Sequence, residues 1–132
     1  MNDRFKFRAW ATETKKMYDN VYFDGLEVGI WDDDNDGEYT LIGDMRENSL
    51  LQYCILLQCT GLNDKNGKLI YEGDIIHGEY GMAWEVFHEN SMYYAGGHSG
   101  DTYITKILEP ALSMVSSVIG NIYENPELGV SK

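Results

Sequence analysis

The sequence predicts a mainly β protein: a small barrel or roll with additional N-terminal strands and at most one or two short helices. Ten tyrosines, four phenylalanines and three tryptophans occur among 132 residues, and aromatic side chains favour the half-buried surface of a pleated sheet. Short apolar stretches alternate with glycine- and asparagine-containing turns, a pattern typical of small barrels. A chain of this length can bury a core of its own.

The N-terminal half contains four predicted strands and one ambiguous segment. Residues 4–9 alternate strictly, with Phe5, Phe7 and Ala9 on one face and Arg4, Lys6 and Arg8 on the other, as in a half-buried strand. Further strands are predicted at residues 17–23, 26–31 and 38–42. Residues 50–59 form an apolar run that fits a buried strand or a short helix, and Thr60-Gly61 is predicted to end it.

The C-terminal half shows closely spaced turns and strands. Polar turns are predicted at residues 63–68 and 71–74. In and just before them, Gly61, Gly67 and Gly73 each suit a tight turn that a side chain would obstruct. Strands are predicted at residues 75–79, 83–88, 91–95 and 115–123. Residues 106–114 suggest a helix, although Pro110 argues against its continuity.

Two short motifs lie between these C-terminal strands. The glycine-rich stretch at residues 96–100 predicts a flexible loop. Beside it, Tyr93 and Tyr94 offer either exposed aromatic surface for a partner or strand packing.

The charge of the chain is unevenly distributed. The formal net charge is −12; residues 1–16 carry five basic and two acidic residues, or +3, and the remainder carries five basic and twenty acidic residues, or −15. An acidic body is repelled by a phosphate backbone, so nucleic-acid binding is disfavoured. The basic residues at the start either form a solvated strand face or dock on an acidic surface, such as that of a second subunit; they are Arg4, Lys6, Arg8, Lys15 and Lys16.

The sequence also bears on where the protein is located, and we expect a cytoplasmic protein without a membrane segment. No apolar run is long enough to span a bilayer, and the N-terminus does not resemble a signal peptide. Cys54 and Cys59 are five residues apart; on one strand this odd spacing places them on opposite faces, where they would not pair. It does not match a zinc knuckle either, so both are predicted to be reduced, buried thiols.

The acidic stretch at residues 32–38 partly matches a calcium-binding loop. Asp32, Asp34, Asp36 and Gly37 fit its first, third, fifth and sixth positions. The twelfth position is Gly43 rather than Glu, and the flanking residues resemble strands rather than helices. We therefore expect a solvated hairpin loop, with a weak cation site as the alternative.

A second candidate site combines two histidines with a carboxylate. His77 and Glu79 lie on one face of a predicted strand, and His88 lies on a strand that could be its neighbour. Together they could hold zinc or perform acid–base chemistry, whereas the alternative is a scattered surface placement that would include His98. No nucleophile elbow or phosphate-binding loop is found, so we predict no catalytic, metal or cofactor residue.

Three segments in the correct order resemble a known family. They are Arg8-Ala9-Trp10 followed by Met17, the stretch from Leu57 to Ile76 that contains Thr60-Gly61-Leu62-Asn63-Asp64 and Tyr71-Glu72-Gly73-Asp74, and the stretch from Val118 to Leu128 that contains Gly120-Asn121-Ile122-Tyr123-Glu124-Asn125-Pro126. Together they resemble the YopX family of phage and prophage proteins. Two positions depart from the family pattern, Ala11 where Asp is usual and Cys59 where Tyr is frequent.

The resemblance implies a bacteriophage or prophage origin, a bacterial host cytoplasm and a mainly β fold with an SH3-like barrel. On this basis residues 1–60 are predicted to be a β-rich segment packed on the barrel and residues 61–132 the barrel itself, forming one compact unit. The resemblance brings no activity, cofactor or site residue.

The leading functional hypothesis is therefore a phage accessory protein, without enzymatic activity, that binds a protein partner, with self-assembly as an additional expectation. An acidic DNA mimic that inhibits a host DNA-binding enzyme is the first alternative. A metal-dependent hydrolase built on His77, Glu79 and His88 is the second. A nucleic-acid-binding barrel is favoured by fold analogy alone and opposed by the charge.

Overall fold

The computed structural model describes residues 6–19, 21–24, 27–32, 38–44, 54–78 and 81–128. Their strands are β1 (Phe7–Ala11), β2 (Lys16–Tyr18), β3 (Val21–Asp24), β4 (Glu27–Asp32), β5 (Glu38–Asp44), β6 (Cys54–Asn63), β7 (Leu69–Tyr71), β8 (Asp74–His77), β9 (Ala83–Glu89), β10 (Met92–Ser99), β11 (Thr102–Ile107) and β12 (Ser117–Asn121). These residues contain one short α-helix, α1 (Pro110–Ser113), and a 3-10 turn at Pro126–Leu128.

The described chain divides into two compact units, residues 6–58 and residues 59–128. In the N-terminal unit, β1 pairs antiparallel with β2 on one side and with the first half of β6 on the other. A separate antiparallel sheet in this unit has the order β3-β4-β5.

The C-terminal unit is built on a five-stranded antiparallel sheet with the order β11-β10-β9-β8-β12. Strands β8 to β11 follow one another as a meander, and α1 then leads into β12, which returns to pair with β8. The sheet curls as in a small barrel or roll. The predicted mainly β class is thus confirmed.

One face of this sheet forms the core of the C-terminal unit. Ile76, Trp84, Val86 and Ala95 are almost completely buried on it. The other buried members of the cluster are Ile70, Leu108 and Leu112. Burial of each Ile, Val or Leu side chain contributes roughly 1.5–3 kcal/mol, so this cluster orders the strands around it.

The turn between β7 and β8 is joined to the end of β12 through Gly73. Gly73 has φ +87°, and a Cβ there would lie 3.1 Å from Cε2 of Tyr123. Its N–H donates to the carbonyl of Val86 at 2.7 Å, and its own carbonyl accepts from the N–H of Ile122 at 2.9 Å. Gly61 and Gly67 have φ of 84° and 83°, so all three predicted turn glycines adopt the conformation that disfavours a side chain.

Asp64 fixes the turn between β6 and β7. Oδ1 of this buried residue accepts from the N–H groups of Asn66 at 2.8 Å and Lys68 at 2.9 Å, and Oδ2 accepts from the N–H of Val118 at 2.9 Å. Ionised carboxylates form stronger hydrogen bonds than neutral acceptors. One side chain therefore shapes the predicted polar turn and attaches it to β12.

Several predicted boundaries in the first half of the chain are confirmed or corrected. Strands at residues 26–31 and 38–42 are confirmed, whereas the strand at 17–23 is wrong as a single element, because β2 and β3 belong to different sheets. The ambiguous segment is a strand from Cys54 onward; residues 50–53 lie outside the described residues. Thr60-Gly61 does not end it, because a register shift between Cys59 and Asn63 absorbs the positive φ of Gly61 as a bulge.

Two predictions in the second half are wrong. Gly96, Gly97 and His98 are not a loop but part of β10, since neighbouring atoms occupy the space of the missing side chains: a Cβ on Gly97 would lie 2.5 Å from the carbonyl oxygen of Ala83. The helix at residues 106–114 is reduced to the four residues of α1, which Pro110 begins, because Lys106 and Ile107 complete β11.

Candidate functional site

The face of the C-terminal sheet opposite the core carries partly exposed aromatic and acidic side chains. Residues directly opposite each other in an antiparallel pair share a face, and Tyr94 pairs with Phe87 and Ile107, while Gly96 pairs with Glu85 and Thr105. We call this surface the outer face; its members on β9, β10 and β11 are Glu85, Phe87, Glu89, Met92, Tyr94, Gly96, His98, Tyr103, Thr105 and Ile107.

One end of the outer face is mainly apolar, with the exposed Glu89 opposite Met92 at its margin. The rings of Phe87 and Tyr94 stack with centroids 5.5 Å apart at 21°, and both are only partly buried. Met92 and Ile107 beside them are 42% and 50% exposed. Tyr94 also directs its hydroxyl towards Sδ of Met92 at 3.9 Å. Contiguous exposed apolar side chains of this kind mark surfaces that bind other molecules.

The other end of the outer face, which we call the acidic end, carries Glu85 and Tyr103. Tyr103 leans across β10 with its hydroxyl over Gly96, where any Cβ would collide with it. Burial raises the pKa of the Tyr103 phenol, and the nearby Glu85 carboxylate raises it further. Burial likewise raises the pKa of Tyr123, with Glu72 and Glu85 adding to the effect. Glu85 therefore lies within electrostatic reach of both phenols.

The two ends are separated by two residues of strand. Glu85 and Gly96 lie two positions from Phe87 and Tyr94 on their own strands, which corresponds to about 6.6 Å along the sheet. The stacked rings of Phe87 and Tyr94 thus lie two strand positions from the level of the Glu85 carboxylate. Such a pairing can hold an apolar group and a cation at the same time.

Only part of this surface was anticipated from the sequence. The sequence allows two interpretations of Tyr93 and Tyr94, exposed aromatic surface or strand packing, and the structure supports a different one for each residue. Tyr93 packs against the core cluster and the ring of His88, at 4.8 Å between centroids, whereas Tyr94 lies on the outer face. Glu85 and Phe87 were missed, although the alternation of buried Trp84 and Val86 with them was the signal that could have revealed the surface.

The histidines of the hydrolase alternative are not brought together. His77 pairs with Ala83 at one end of the β8–β9 ladder, and His88 lies five residues further along β9, about 17 Å away along the strand. His98 contacts the ring of Tyr103 at 5.1 Å. Glu79 lies outside the described residues. In the described ranges no three His, Cys, Asp or Glu side chains are grouped so that they could hold a metal ion.

The acidic stretch is flanked by paired strands, as predicted for a hairpin. Asp32 and Glu38 are partners in the register of β4 and β5. A calcium-binding helix–loop–helix would have helices, not strands, on both sides of the loop. Asp34, Asp36 and Gly37 lie outside the described residues.

The two cysteines are free and buried, as predicted. Burial raises the pKa of the Cys54 thiol. A thiol with a raised pKa is a poor nucleophile, because the reactive form is the thiolate.

The basic residues near the start do not form one solvated strip. Lys6 and Lys15 are exposed, but Lys16 places its Nζ 4.9 Å from the ring centroid of Tyr18. Arg8 is only 9% exposed, so its predicted place on a solvated face is wrong. The reason is that both faces of β1 are covered, since Ala9 on one face is fully buried and Trp10, on the same face as Arg8, is only 8% exposed. Arg4 lies outside the described residues.

An open concavity lies beside α1 and is lined by Lys106, Ile107, Glu109, Ala111 and Leu112. Ile107 belongs to both this concavity and the apolar end of the outer face.

The helix α1 is far too short to cross a bilayer, and no helix of the described residues could do so.

Comparison with known proteins places the chain in a family. A family model described as "YopX protein" matches residues 6–128. The chain belongs to the YopX family. The resemblance that rested on three motifs therefore extends over nearly the whole sequence.

Two solved structures resemble this YopX-family chain. YopX from Bacillus subtilis is 20% identical, with a TM-score of 0.59, and the match covers 97% of this chain and 98% of that one. Protein EF1440 from Enterococcus faecalis is 28% identical, with a TM-score of 0.48, and covers 93% and 96%. No curated protein matches the chain. At 20% identity, the likeness to YopX from Bacillus subtilis supports the fold alone.

Proposed function

We propose that this YopX-family chain is a phage or prophage accessory protein that binds a protein partner in the cytoplasm of the bacterial host and has no enzymatic activity. The observation that carries the proposal is the outer face, where Phe87 and Tyr94 form a partly exposed stack beside exposed Met92 and Ile107. Aromatic and methionine side chains are enriched in protein interfaces. Family membership supports the phage part, since the motif resemblance implies such an origin.

The chemistry of the outer face favours binding over catalysis. Burial and the nearby Glu85 raise the pKa of the Tyr103 phenol, so it stays protonated near pH 7 and can donate a hydrogen bond to a partner. Tyrosine combines a large apolar ring with a polar tip, which suits it to contact with another protein.

Affinity capture with matched variants tests the proposal. The tagged chain is used to capture proteins from phage-infected or lysogenic bacteria, and the captured protein is then purified and titrated by calorimetry. Tyr94→Ala removes half of the aromatic stack and should weaken binding by about tenfold or more. Met114→Ala truncates an equally apolar side chain that is 68% exposed just after α1 and should leave binding unchanged.

Two results would contradict the proposal. One is a captured protein that binds both variants and the unchanged chain equally well, because the outer face would then not be the interface. The other is turnover of a small molecule by the purified chain that Tyr94→Ala leaves intact.

A further inference from the structure

On the outer face, the apolar stack and the acidic side chain lie at a fixed distance from each other. The apolar stack of Phe87 and Tyr94 lies two strand residues from the level of Glu85 and Gly96, or about 6.6 Å. In an extended peptide, side chains two positions apart project from the same face and are separated by the same distance. A peptide lying along β9 and β10 would therefore place alternate side chains on the two ends.

The acidic end is suited to a cation. Glu85 lies on the outer face opposite Gly96, and the hydroxyl of Tyr103 reaches over Gly96 from the next strand. The surrounding charge has the same sign: described residues 59–78 and 81–128 contain nine acidic residues and three lysines, a net −6. Such a field attracts a cationic partner and accelerates its association. A guanidinium can also bind a carboxylate with paired hydrogen bonds while stacking on aromatic rings.

Gly96 lets Tyr103 reach across β10. The hydroxyl of Tyr103 occupies the space that a Cβ on Gly96 would need, and Cε1 of Phe87 lies 3.0 Å from the same position. A larger residue at this position would displace Tyr103. The Tyr103 phenol therefore lies beside the stack, at the level of the strand that carries Glu85.

From these features we infer that the outer face binds an extended segment of a partner protein in which an apolar residue and an arginine or lysine lie two positions apart. The apolar residue packs on Phe87 and Tyr94, and the cation is held by Glu85. This inference rests on the proposed binding function and adds the chemistry of the partner.

Peptide titrations followed by NMR test the inference with the protein unchanged. The probe is the peptide Gly-Ser-Leu-Thr-Arg-Ser-Gly, and its matched control, Gly-Ser-Leu-Arg-Thr-Ser-Gly, has the same composition with adjacent leucine and arginine. We expect the first peptide to bind about tenfold more tightly than the second and than a version with glutamine for arginine. The shifted resonances should be those of Phe87, Tyr94 and Glu85, and binding should weaken as salt increases.

Charge variants provide the second measurement. Glu85→Gln keeps the side-chain shape and should weaken binding of the first peptide about tenfold. Glu109→Gln removes the same charge at the exposed residue before α1 and should change it less than twofold. The thermal unfolding midpoint of each variant verifies that the chain is folded.

Several outcomes would overturn the inference. They are equal affinity for the two peptides, resonance shifts confined to other surfaces, and equal effects of Glu85→Gln and Glu109→Gln. Concentration-dependent shifts of Phe87 and Tyr94 without peptide would identify a second copy of the chain as the occupant instead. If these outcomes occur while Tyr94→Ala still abolishes capture of a partner protein, the binding function stands and only the cationic segment is wrong.

Discussion

The carboxylate of Asp64 accepts a hydrogen bond from the backbone N–H of Val118, which lies 54 residues later in the chain. The same carboxylate accepts two further backbone N–H groups within its own turn. A single side chain thus connects the turn after β6 to the last strand. This explains physically why Asp64 forms part of the Thr60-Gly61-Leu62-Asn63-Asp64 motif.

Replacing Asp64 with asparagine should destabilise the chain by about 2 kcal/mol, because the new amide nitrogen must face a backbone N–H donor. Urea unfolding of Asp64→Asn and of the unchanged chain measures the difference. Asp101→Asn, an exposed substitution of the same kind in the turn after β10, should stay within about 0.5 kcal/mol. Equal stability of Asp64→Asn and Asp101→Asn would mean that the three hydrogen bonds contribute nothing.

The same carboxylate predicts a loss of stability in acid. Burial opposes ionisation of Asp64, but its three backbone hydrogen bonds and Lys68 outweigh this and hold its pKa below the ordinary 3.8. A depressed pKa adds stability that is complete above the unfolded-state pKa and is lost as pH falls through the folded-state pKa. The stability difference between the chain and Asp64→Asn should therefore narrow as the pH falls below the ordinary pKa of 3.8. A difference that stays constant over this range would contradict the assignment.

Two glycine substitutions separate backbone strain from steric overlap. Gly67 and Gly73 have nearly the same φ, +83° and +87°, but a Cβ on Gly67 meets nothing within 4 Å, whereas one on Gly73 meets Tyr123 at 3.1 Å. We expect Gly67→Ala to cost about 1 kcal/mol and Gly73→Ala about 2 kcal/mol, because overpacking adds to the strain. Equal costs in urea unfolding would show that Tyr123 moves aside freely.

The electrostatic effect of Glu85 on the phenols of Tyr103 and Tyr123 can be measured directly. Glu85→Gln should lower the pKa of both Tyr103 and Tyr123 towards their ordinary value of 10.0, while burial keeps them above it. A pH titration of the tyrosine ring resonances by NMR records both groups. Glu109→Gln is the matched control and should leave both values unchanged. A shift of only one phenol would place Glu85 out of reach of the other.

The strands with alternating or turn-bounded patterns were predictable from the sequence. Strand β9 and the turn before β8 follow rules that act over a few residues, since Gly73 needs a positive φ and the aromatic and β-branched side chains of residues 84–87 favour a strand. The continuation of β10 through Gly96 and Gly97 was not predictable in this way. Those glycines lie in a strand because Tyr103 and Ala83, from other strands, occupy the space beside them, and such contacts leave no local pattern.

The candidate site was predictable only in fragments for a similar reason. Tyr94 was recognised as an aromatic that could contact a partner, but Glu72, Glu85 and Tyr123 come from three separate elements. Their proximity depends on the return of β12 to β8 and on the contact of Gly73 with Tyr123. The histidines failed as a site for the converse reason, because strands that are neighbours in the sheet still place His77 and His88 at distant positions along the ladder.

The position of β12 has a consequence for synthesis of the protein. Ser117 pairs with His77, which is made 40 residues earlier, so β8 exposes one unpaired edge throughout the translation of β9, β10 and β11. An open strand edge is a template for pairing with other chains, and β8 with Ile75 and Ile76 is a more apolar edge than β12, which forms the edge of the completed sheet. A nascent or truncated chain that ends before β12 should therefore aggregate during expression, and ribosome-associated chaperones would be needed most in that interval.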